Sequence, residues 1–269
     1  LRPAELLGLT ATPERADGLP ILGWFGERIS AELRLWDAID QQRLVPFHYY
    51  GISDGTDLSA VPWRRGFGYD TEALAGVYTA NDAWARTVIA QVQAYVGNVH
   101  RMRALGFCVN VAHARFMAQQ FTAAGIAAVA VTGETPDGER AEALARLRDG
   151  TVSVVFSVDL FNEGVDVPAV DTVLMLRPTE SATVFLQQLG RGLRRAREKS
   201  VCTVLDFVGR HRQEFRFDVR YRALLRVSRS DLVKGIKEGF AYLPSGCSFQ
   251  LDPVAQQVVL DNVRSAIPS

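Results

Sequence analysis

Residues 187–195 read QQLGRGLRR, and they follow an apolar and acidic stretch, residues 156–168, that reads FSVDLFNEGVDVP. The first stretch spaces Arg191 and Arg194 by one helical turn, so both side chains fall on the same helix face. Arginine is always charged and carries a planar fork of donors, so such a pair can neutralise charge that develops on a transferring phosphoryl group. The alternative for the spacing alone is a pair of solvated arginines on an exposed helix face.

The middle of the chain alternates apolar, β-branched runs with segments of helical spacing. These apolar runs predict strands, and the segments between them predict helices. The predicted strands are residues 107–112, 127–131, 152–158, 172–176 and 201–207, and the predicted helices include residues 78–96, 113–124, 139–148 and 253–267. Continuous apolar strands separated by helices indicate an α/β fold with a doubly wound parallel sheet. Ligand sites in such folds lie at the carboxyl ends of the strands.

Three stretches, in this order along the chain, resemble motifs of the superfamily-two helicases. Residues 9–13, LTATP, resemble motif III, residues 159–168 resemble motif V, and residues 187–194 resemble motif VI. The resemblance covers about residues 1–210 and is nearest to the type III restriction and UvrB-like group of DNA helicases. It implies a RecA-like second helicase lobe, followed by a mainly helical C-terminal extension.

The resemblance also implies roles for individual residues. Arg191 and Arg194 would be arginine fingers, and Gln187 would link the state of the nucleotide to motion. Gly164 and Asp166 would lie near the nucleotide. The residues expected along nucleic acid are His113, Gly133, Ser157, Val158 and Asp159.

Two of these nucleic-acid assignments have alternatives. His113 could equally be an ordinary histidine at the start of a helix. Val158 stands where many family members have a threonine that bonds the nucleic-acid backbone, so this contact is expected from a backbone N–H or from Ser157.

ATP hydrolysis in this family needs a phosphate loop that ends in Gly-Lys-Thr/Ser and an acidic pair that holds Mg²⁺. Neither pattern occurs in these 269 residues. The chain is therefore expected to be the C-terminal part of a longer helicase and to be inactive alone, with ATP and Mg²⁺ bound mainly by a first lobe of the same polypeptide. The expected divisions are residues 1–43, the end of that first lobe and a linker; 44–209, the second lobe; and 210–269, the helical extension.

Composition is that of a globular, cytoplasmic chain with 48% hydrophobic and 22% charged residues. Its 3 cysteines form neither a disulfide framework nor a zinc pattern, and no metal site is expected. No apolar run approaches the roughly 20 residues of a membrane helix, so no membrane partner is expected. Net charge is zero overall, but residues 186–240 hold 14 lysines and arginines against 6 acidic residues, a local charge of +8. This basic half is a candidate nucleic-acid face, or else a solvated surface with internal ion pairs.

The sequence thus predicts the C-terminal motor lobe of an ATP-dependent DNA helicase or translocase that grips the backbone of single- or double-stranded DNA regardless of base sequence. DNA repair is the expected setting. Two alternatives stay open: the motor subunit of a restriction system, and a non-hydrolytic module that binds DNA or docks a partner.

Overall fold

The structure, a computed structural model, describes residues 6–8, 22–64, 66–80, 82–159, 167–240 and 242–265. The predicted motif III, residues 9–13, lies outside the described residues, and so do residues 160–166 of the predicted motif V. Gly164 and Asp166 are therefore not located here.

A seven-stranded sheet forms the centre of the chain, in the spatial order β5-β6-β4-β7-β8-β1-β9. Every neighbouring pair in it runs parallel. Its strands are β1 (Phe47–Asp57), β4 (Ala104–Phe107), β5 (Ala128–Val131), β6 (Val154–Ser157), β7 (Thr172–Met175), β8 (Cys202–Arg210) and β9 (Ser248–Leu251). Two further short strands, β2 (Trp63–Arg64) and β3 (Gly68–Tyr69), form a separate antiparallel hairpin. The predicted parallel sheet is confirmed.

Helices cover both faces of the sheet, because the apolar strand residues alternate between two buried clusters. The helices are a 3₁₀ turn (Leu22–Phe25), α1 (Leu35–Asp40), α2 (Thr71–Thr79), α3 (Asp82–Tyr95), α4 (Val111–Ala123), α5 (Asp137–Asp149), α6 (Ala182–Gly192), α7 (Phe217–Leu225), α8 (Arg229–Glu238) and α9 (Pro253–Ser265). Side chains of α2, α3 and α4 fill one cluster, and those of α5 to α9 fill the other. The predicted doubly wound, RecA-like architecture is confirmed.

Several predicted element boundaries are wrong. The strand predicted at residues 107–112 is β4, which ends at Phe107, because Asn110 caps helix α4: its Oδ1 accepts from the His113 N–H at 2.9 Å. The single long helix predicted over residues 78–96 is two helices, α2 and α3. The last helix was predicted correctly at its start, where Asp252 Oδ1 accepts from the Ala255 N–H at 2.7 Å ahead of Pro253.

The C-terminal segment is mainly helical, as predicted, but it also completes the sheet. Strand β9 pairs with β1, and helices α7, α8 and α9 pack into the same buried cluster as α6. Residues after the predicted boundary at 209/210 therefore share a core with the lobe. None of the described helices is long and apolar enough to cross a membrane.

A buried ion pair ties this segment to the sheet. Arg220 of α7 is 2% exposed, and its Nη2 lies 2.7 Å from Asp206 Oδ2 on β8. Tyr49 on β1 donates to the same carboxylate, and Tyr221 Oη accepts from Arg220 at 3.0 Å. Burial is the largest single influence and opposes the charge of Arg220, but Asp206, Tyr221 and Tyr49 together outweigh it and raise the arginine pKa. The guanidinium also lies 5.3 Å from the ring of Phe185 on α6.

These contacts correct part of the reading of the basic half as a nucleic-acid face. Arg220 is in the core, and Arg216 and Arg222 pair with the buried carboxylate of Asp218, at 2.7 and 3.8 Å. Farther along, Arg226 pairs with Asp37 at 3.9 Å. Arg216, Arg220, Arg222 and Arg226 are thus engaged in ion pairs within the protein, as the alternative reading expected.

Candidate functional site

Helix α6 carries Arg191 in its last turn, whereas Arg194 follows the helix, so the prediction that both arginines lie on one helix face is wrong. The helix begins where Ser181 Oγ accepts from the Val184 N–H at 3.3 Å, just after the carboxyl end of β7. Its 11 residues span about 16 Å at 1.5 Å per residue, which brings its last turn back to the amino ends of the strands. A Cβ on Gly192 would overlap the Sγ of Cys202, the first residue of β8. The glycine therefore lets the end of α6 press against the sheet.

The segment that enters the lobe is bound to the chain just after α6. Val45 N–H donates to Leu193 O at 2.8 Å, and Leu44 forms an isolated antiparallel bridge with Arg194. Arg195 Nη1 donates to Gln42 O at 2.6 Å. The predicted linker and the predicted fingers are thus held side by side.

Lys199 joins the predicted motifs V and VI at this edge. Its Nζ donates to Arg194 O at 2.7 Å and to Pro168 O at 3.1 Å. Burial lowers the pKa of Lys199 below its usual value, although nearby Cys202 and Asp171 oppose this shift. Sequence reasoning missed Lys199, because a lysine before a strand has no motif that marks it.

Gln187, Arg191 and Arg194 are each partly exposed and each make contacts within the lobe. The guanidinium groups of Arg191, at the end of α6, and of Arg194, just after it, each offer a planar fork of donors that can bind phosphate oxygens. Within the described ranges, no group of three or more His, Cys, Asp or Glu side chains could hold a metal ion.

The predicted nucleic-acid residues lie at the opposite edge, at the carboxyl ends of the strands. Gly133 is exposed just after β5, in a turn where Thr132 N–H donates to Thr135 Oγ1 at 2.9 Å. Asp159 follows β6 with a φ of +50° and pairs with Arg177, which follows β7, at 2.7 Å. Arg177 was not singled out from the sequence, although its place just after an apolar strand is a usable signal.

Two of the predicted nucleic-acid side chains are buried beneath this edge. His113 is 0% exposed, with its ring stacked on Tyr78 and tilted against Trp84 at centroid distances of 5.2 and 5.3 Å. Ser157 is 1% exposed. Neither side chain can touch a phosphate here, so the alternative for His113, a histidine that serves the helix start and core, is the correct one. Val158 and Asp159 reach the surface.

The burial of His113 predicts how the stability of the protein depends on pH. Desolvation lowers its pKa from 6.5 to about 3, so the folded imidazole stays neutral while the unfolded one protonates below pH 6.5. The contribution of the neutral His113 to the free energy of unfolding is fully present above pH 6.5 and falls as the pH drops toward 3. We expect the parent to lose about 2 kcal/mol more than His113→Asn between pH 8 and pH 5. Denaturant unfolding at each pH measures this difference, and parallel curves for the two proteins would contradict it.

The predicted residues therefore form two sites, one at each edge of the sheet. The general rule for ligands at strand carboxyl ends fits Gly133 and Asp159 but not Arg191 and Arg194. The arginines arrive at the amino ends because a crossover helix must run antiparallel to the strands it connects.

Residues 87–196 match the protein family described as "Helicase conserved C-terminal domain". A 51.5 kDa protein of a Lactococcus phage is 31% identical over 206 residues, which cover 76% of this chain and 44% of that protein. A candidate ATP-dependent helicase of Saccharomyces cerevisiae, IRC3, is 29% identical over 206 residues, which cover 76% of this chain and 29% of that protein. The chain thus spans less than half the length of each of these relatives.

The fold also matches a solved enzyme. The ATP-dependent Type ISP restriction-modification enzyme LlaBIII, solved bound to DNA, aligns with 96% of this chain and 20% of its own, with a TM-score of 0.56. The identity is 14%, so the likeness concerns the fold alone.

Proposed function

Because the chain contains the C-terminal RecA-like lobe of a superfamily-two helicase, we propose that it supplies Arg191 and Arg194 to ATP in a DNA helicase or translocase. The nucleotide, with Mg²⁺, is held mainly by a first lobe of the same polypeptide, whose phosphate loop and acidic residues have no counterpart in this sequence. Nothing in the chemistry requires this lobe to bind the metal. Its task is to bring two guanidinium groups to the γ-phosphate.

The observation that carries this proposal is the arrangement around the end of α6. Arg194 bridges Leu44, which directly follows the predicted linker, and Lys199 bonds the carbonyls of both Arg194 and Pro168. A change in the linker or in the predicted motif V loop is therefore transmitted to the arginines through hydrogen bonds. When the lobes close, the fingers move as part of the lobe, with Gln187 on the same helix.

ATP bound between the lobes supplies the energy of the cycle when its γ-phosphate is hydrolysed. The residues of this lobe stabilise the charge that develops on the transferred group and then release it as the lobes open. Gly164 and Asp166 belong by sequence to the predicted motif V, and we assign them to the ribose and phosphate side of the nucleotide.

Nucleic acid lies along the opposite edge in this proposal. Helices α4, α5 and α6 all begin there, so the positive ends of their dipoles face that edge together with Gly133, Val158 and Asp159. Contacts of this kind reach the phosphate backbone and not the bases, which makes binding insensitive to base sequence. The shared fold with an enzyme solved on DNA supports DNA as the substrate.

The experiment that tests the function is nucleic-acid-stimulated ATP hydrolysis by the full-length protein that carries both lobes. Turnover is measured without nucleic acid and with single-stranded DNA, duplex DNA and RNA. Stimulation by DNA above that by RNA is the expected result. Turnover that ignores every nucleic acid would overturn the assignment as a helicase or translocase.

Binding to the carboxyl edge should depend steeply on salt. We expect the logarithm of the association constant for an oligothymidine to fall linearly with the logarithm of salt concentration, by about 0.7 per phosphate neutralised. Arg177→Ala should reduce that slope by about 0.7, whereas Arg222→Ala, on the extension, should leave it unchanged. Fluorescence anisotropy across a salt series measures both slopes. If Arg222→Ala lowered the salt slope and Arg177→Ala did not, the nucleic-acid strand would lie on the extension.

A further inference from the structure

A small hairpin, made of β2 and β3, projects an aromatic side chain into solvent. Phe67 at its tip is 89% exposed, and its N–H closes the turn by donating to Arg64 O at 3.0 Å. Gly66 and Gly68 on either side both have a φ of +82°, a left-handed conformation that glycine adopts without strain. The backbone of the turn therefore holds Phe67 outward and away from the core.

The base of the hairpin is fixed to the lobe by polar contacts. Trp63 Nε1 donates to Glu180 Oε2 at 3.3 Å, and Tyr69 Oη lies 3.1 Å from His211 Nδ1. The Arg212 N–H donates to the same Tyr69 hydroxyl at 3.2 Å. Glu180 follows β7 and His211 follows β8, so the hairpin stands at the carboxyl edge of the sheet.

This position continues the edge assigned above to nucleic acid. Glu180, which holds the hairpin, is three residues from Arg177, whose guanidinium pairs with Asp159 beyond β6. A nucleic-acid strand that runs along the carboxyl ends of β6 and β7 therefore meets the hairpin next.

The chemistry of the tip fits a nucleic-acid strand better than an apolar protein surface. Arg64 is exposed and forms no ion pair with any residue that the structure describes, and the sequence places a second arginine, Arg65, between it and Gly66. A single exposed apolar side chain on a protein surface is ordinary. An exposed aromatic ring in the same turn as the exposed cation of Arg64 is the combination that stacks on an unpaired base while the cation meets a phosphate.

We propose that the hairpin Trp63–Tyr69 binds a single-stranded segment of nucleic acid, with Phe67 stacked on an unpaired base and Arg64 at a neighbouring phosphate. This inference rests on the proposed function, since it presumes a strand along the carboxyl edge. Stacking is tolerant of base identity, because every base has an aromatic face. The hairpin therefore recognises the single-stranded state without reading sequence.

The test uses a labelled oligothymidine of about 16 nucleotides, an oligouridine of equal length and a duplex of the same length. Phe67→Ala should raise the dissociation constant for the single strand about 5- to 150-fold, following the contribution of one base–aromatic stack. Duplex binding should change little. Phe67→Tyr, which keeps the ring, should retain most of the parent affinity.

Tyr242 offers a matched control. It is 96% exposed and precedes β9, so it lies toward the amino ends of the strands, away from the hairpin. Tyr242→Ala should leave single-strand affinity unchanged, and thermal unfolding should show that all variants are folded. Equal single-strand affinity of the parent and Phe67→Ala would overturn the hairpin contact while leaving the proposed function standing. A parent that binds only duplex would overturn the hairpin contact alone, and a parent that binds neither form would overturn both. An equal loss on single strand and duplex would overturn the claim of single-strand recognition.

Discussion

Replacing Arg191 with alanine is expected to slow ATP hydrolysis by about 10³-fold or more in the full-length protein that carries both motor lobes. The same loss is expected for Arg194→Ala. Each guanidinium would neutralise charge that exists only as the phosphoryl group transfers, so its removal should lower turnover much more than substrate affinity. Lysine at either position should restore little, because a point charge cannot reproduce the planar fork.

Single-turnover hydrolysis, together with nucleotide binding, measures this effect. Arg197→Ala is the matched control: it removes an exposed arginine of the same segment and should leave turnover close to that of the parent. DNA binding without nucleotide should survive in both finger variants. The chain of 269 residues alone should hydrolyse ATP at background rate, since no phosphate loop occurs in it. Unchanged turnover in both finger variants would remove motif VI from the catalytic step.

Arg220→Ala is expected to cost about 3–5 kcal/mol of the free energy of unfolding. The substitution would leave the carboxylate of Asp206 buried without its cation, and it would open a space between the rings of Phe185 and Phe217, which lie 5.3 and 5.1 Å from the guanidinium. A loss of this size is a large share of the stability of an ordinary domain. Helix α6 should loosen together with α7, because Phe185 belongs to α6.

Chemical denaturation of the parent and of each variant named below measures this loss. Arg222→Ala is the matched control: its side chain is 45% exposed, and its pair with Asp218 is one helical turn away, so a change of about 0.5 kcal/mol or less is expected. The double variant Asp206→Asn/Arg220→Met should lose less than the sum of its single changes, because each removes the partner that the other leaves unpaired. Equal stability of Arg220→Ala and Arg222→Ala would contradict the buried pair.

The basic segment between residues 186 and 240 illustrates how far charge counting reaches. The excess of +8 is a property of the sequence, but the direction in which each arginine points is not. In the sequence, nothing distinguishes Arg220 from Arg222, which is two positions away. One lies in the core against Asp206, and the other lies at the surface.

The layered parallel sheet could be predicted because strands that are buried on both faces must be continuously apolar. The connecting helices could be predicted because their apolar residues recur with the helical period. The helix that carries Arg191 was likewise readable from residues close together in the chain, although it ends before Arg194. Local signals of this kind come from hydrogen bonds and side-chain contacts that span only a few residues.

Burial and placement needed contacts between residues far apart in the chain. His113 is covered by Tyr78 and Trp84, so a residue that looked like a phosphate ligand became a neutral part of the core. The two edges separated because α6 crosses the sheet, and the hairpin became fixed only where Trp63 met Glu180. Desolvation and ion pairing depend on these distant neighbours, so only the folded chain could place Arg191 and Arg194 at one edge and Phe67 at the other.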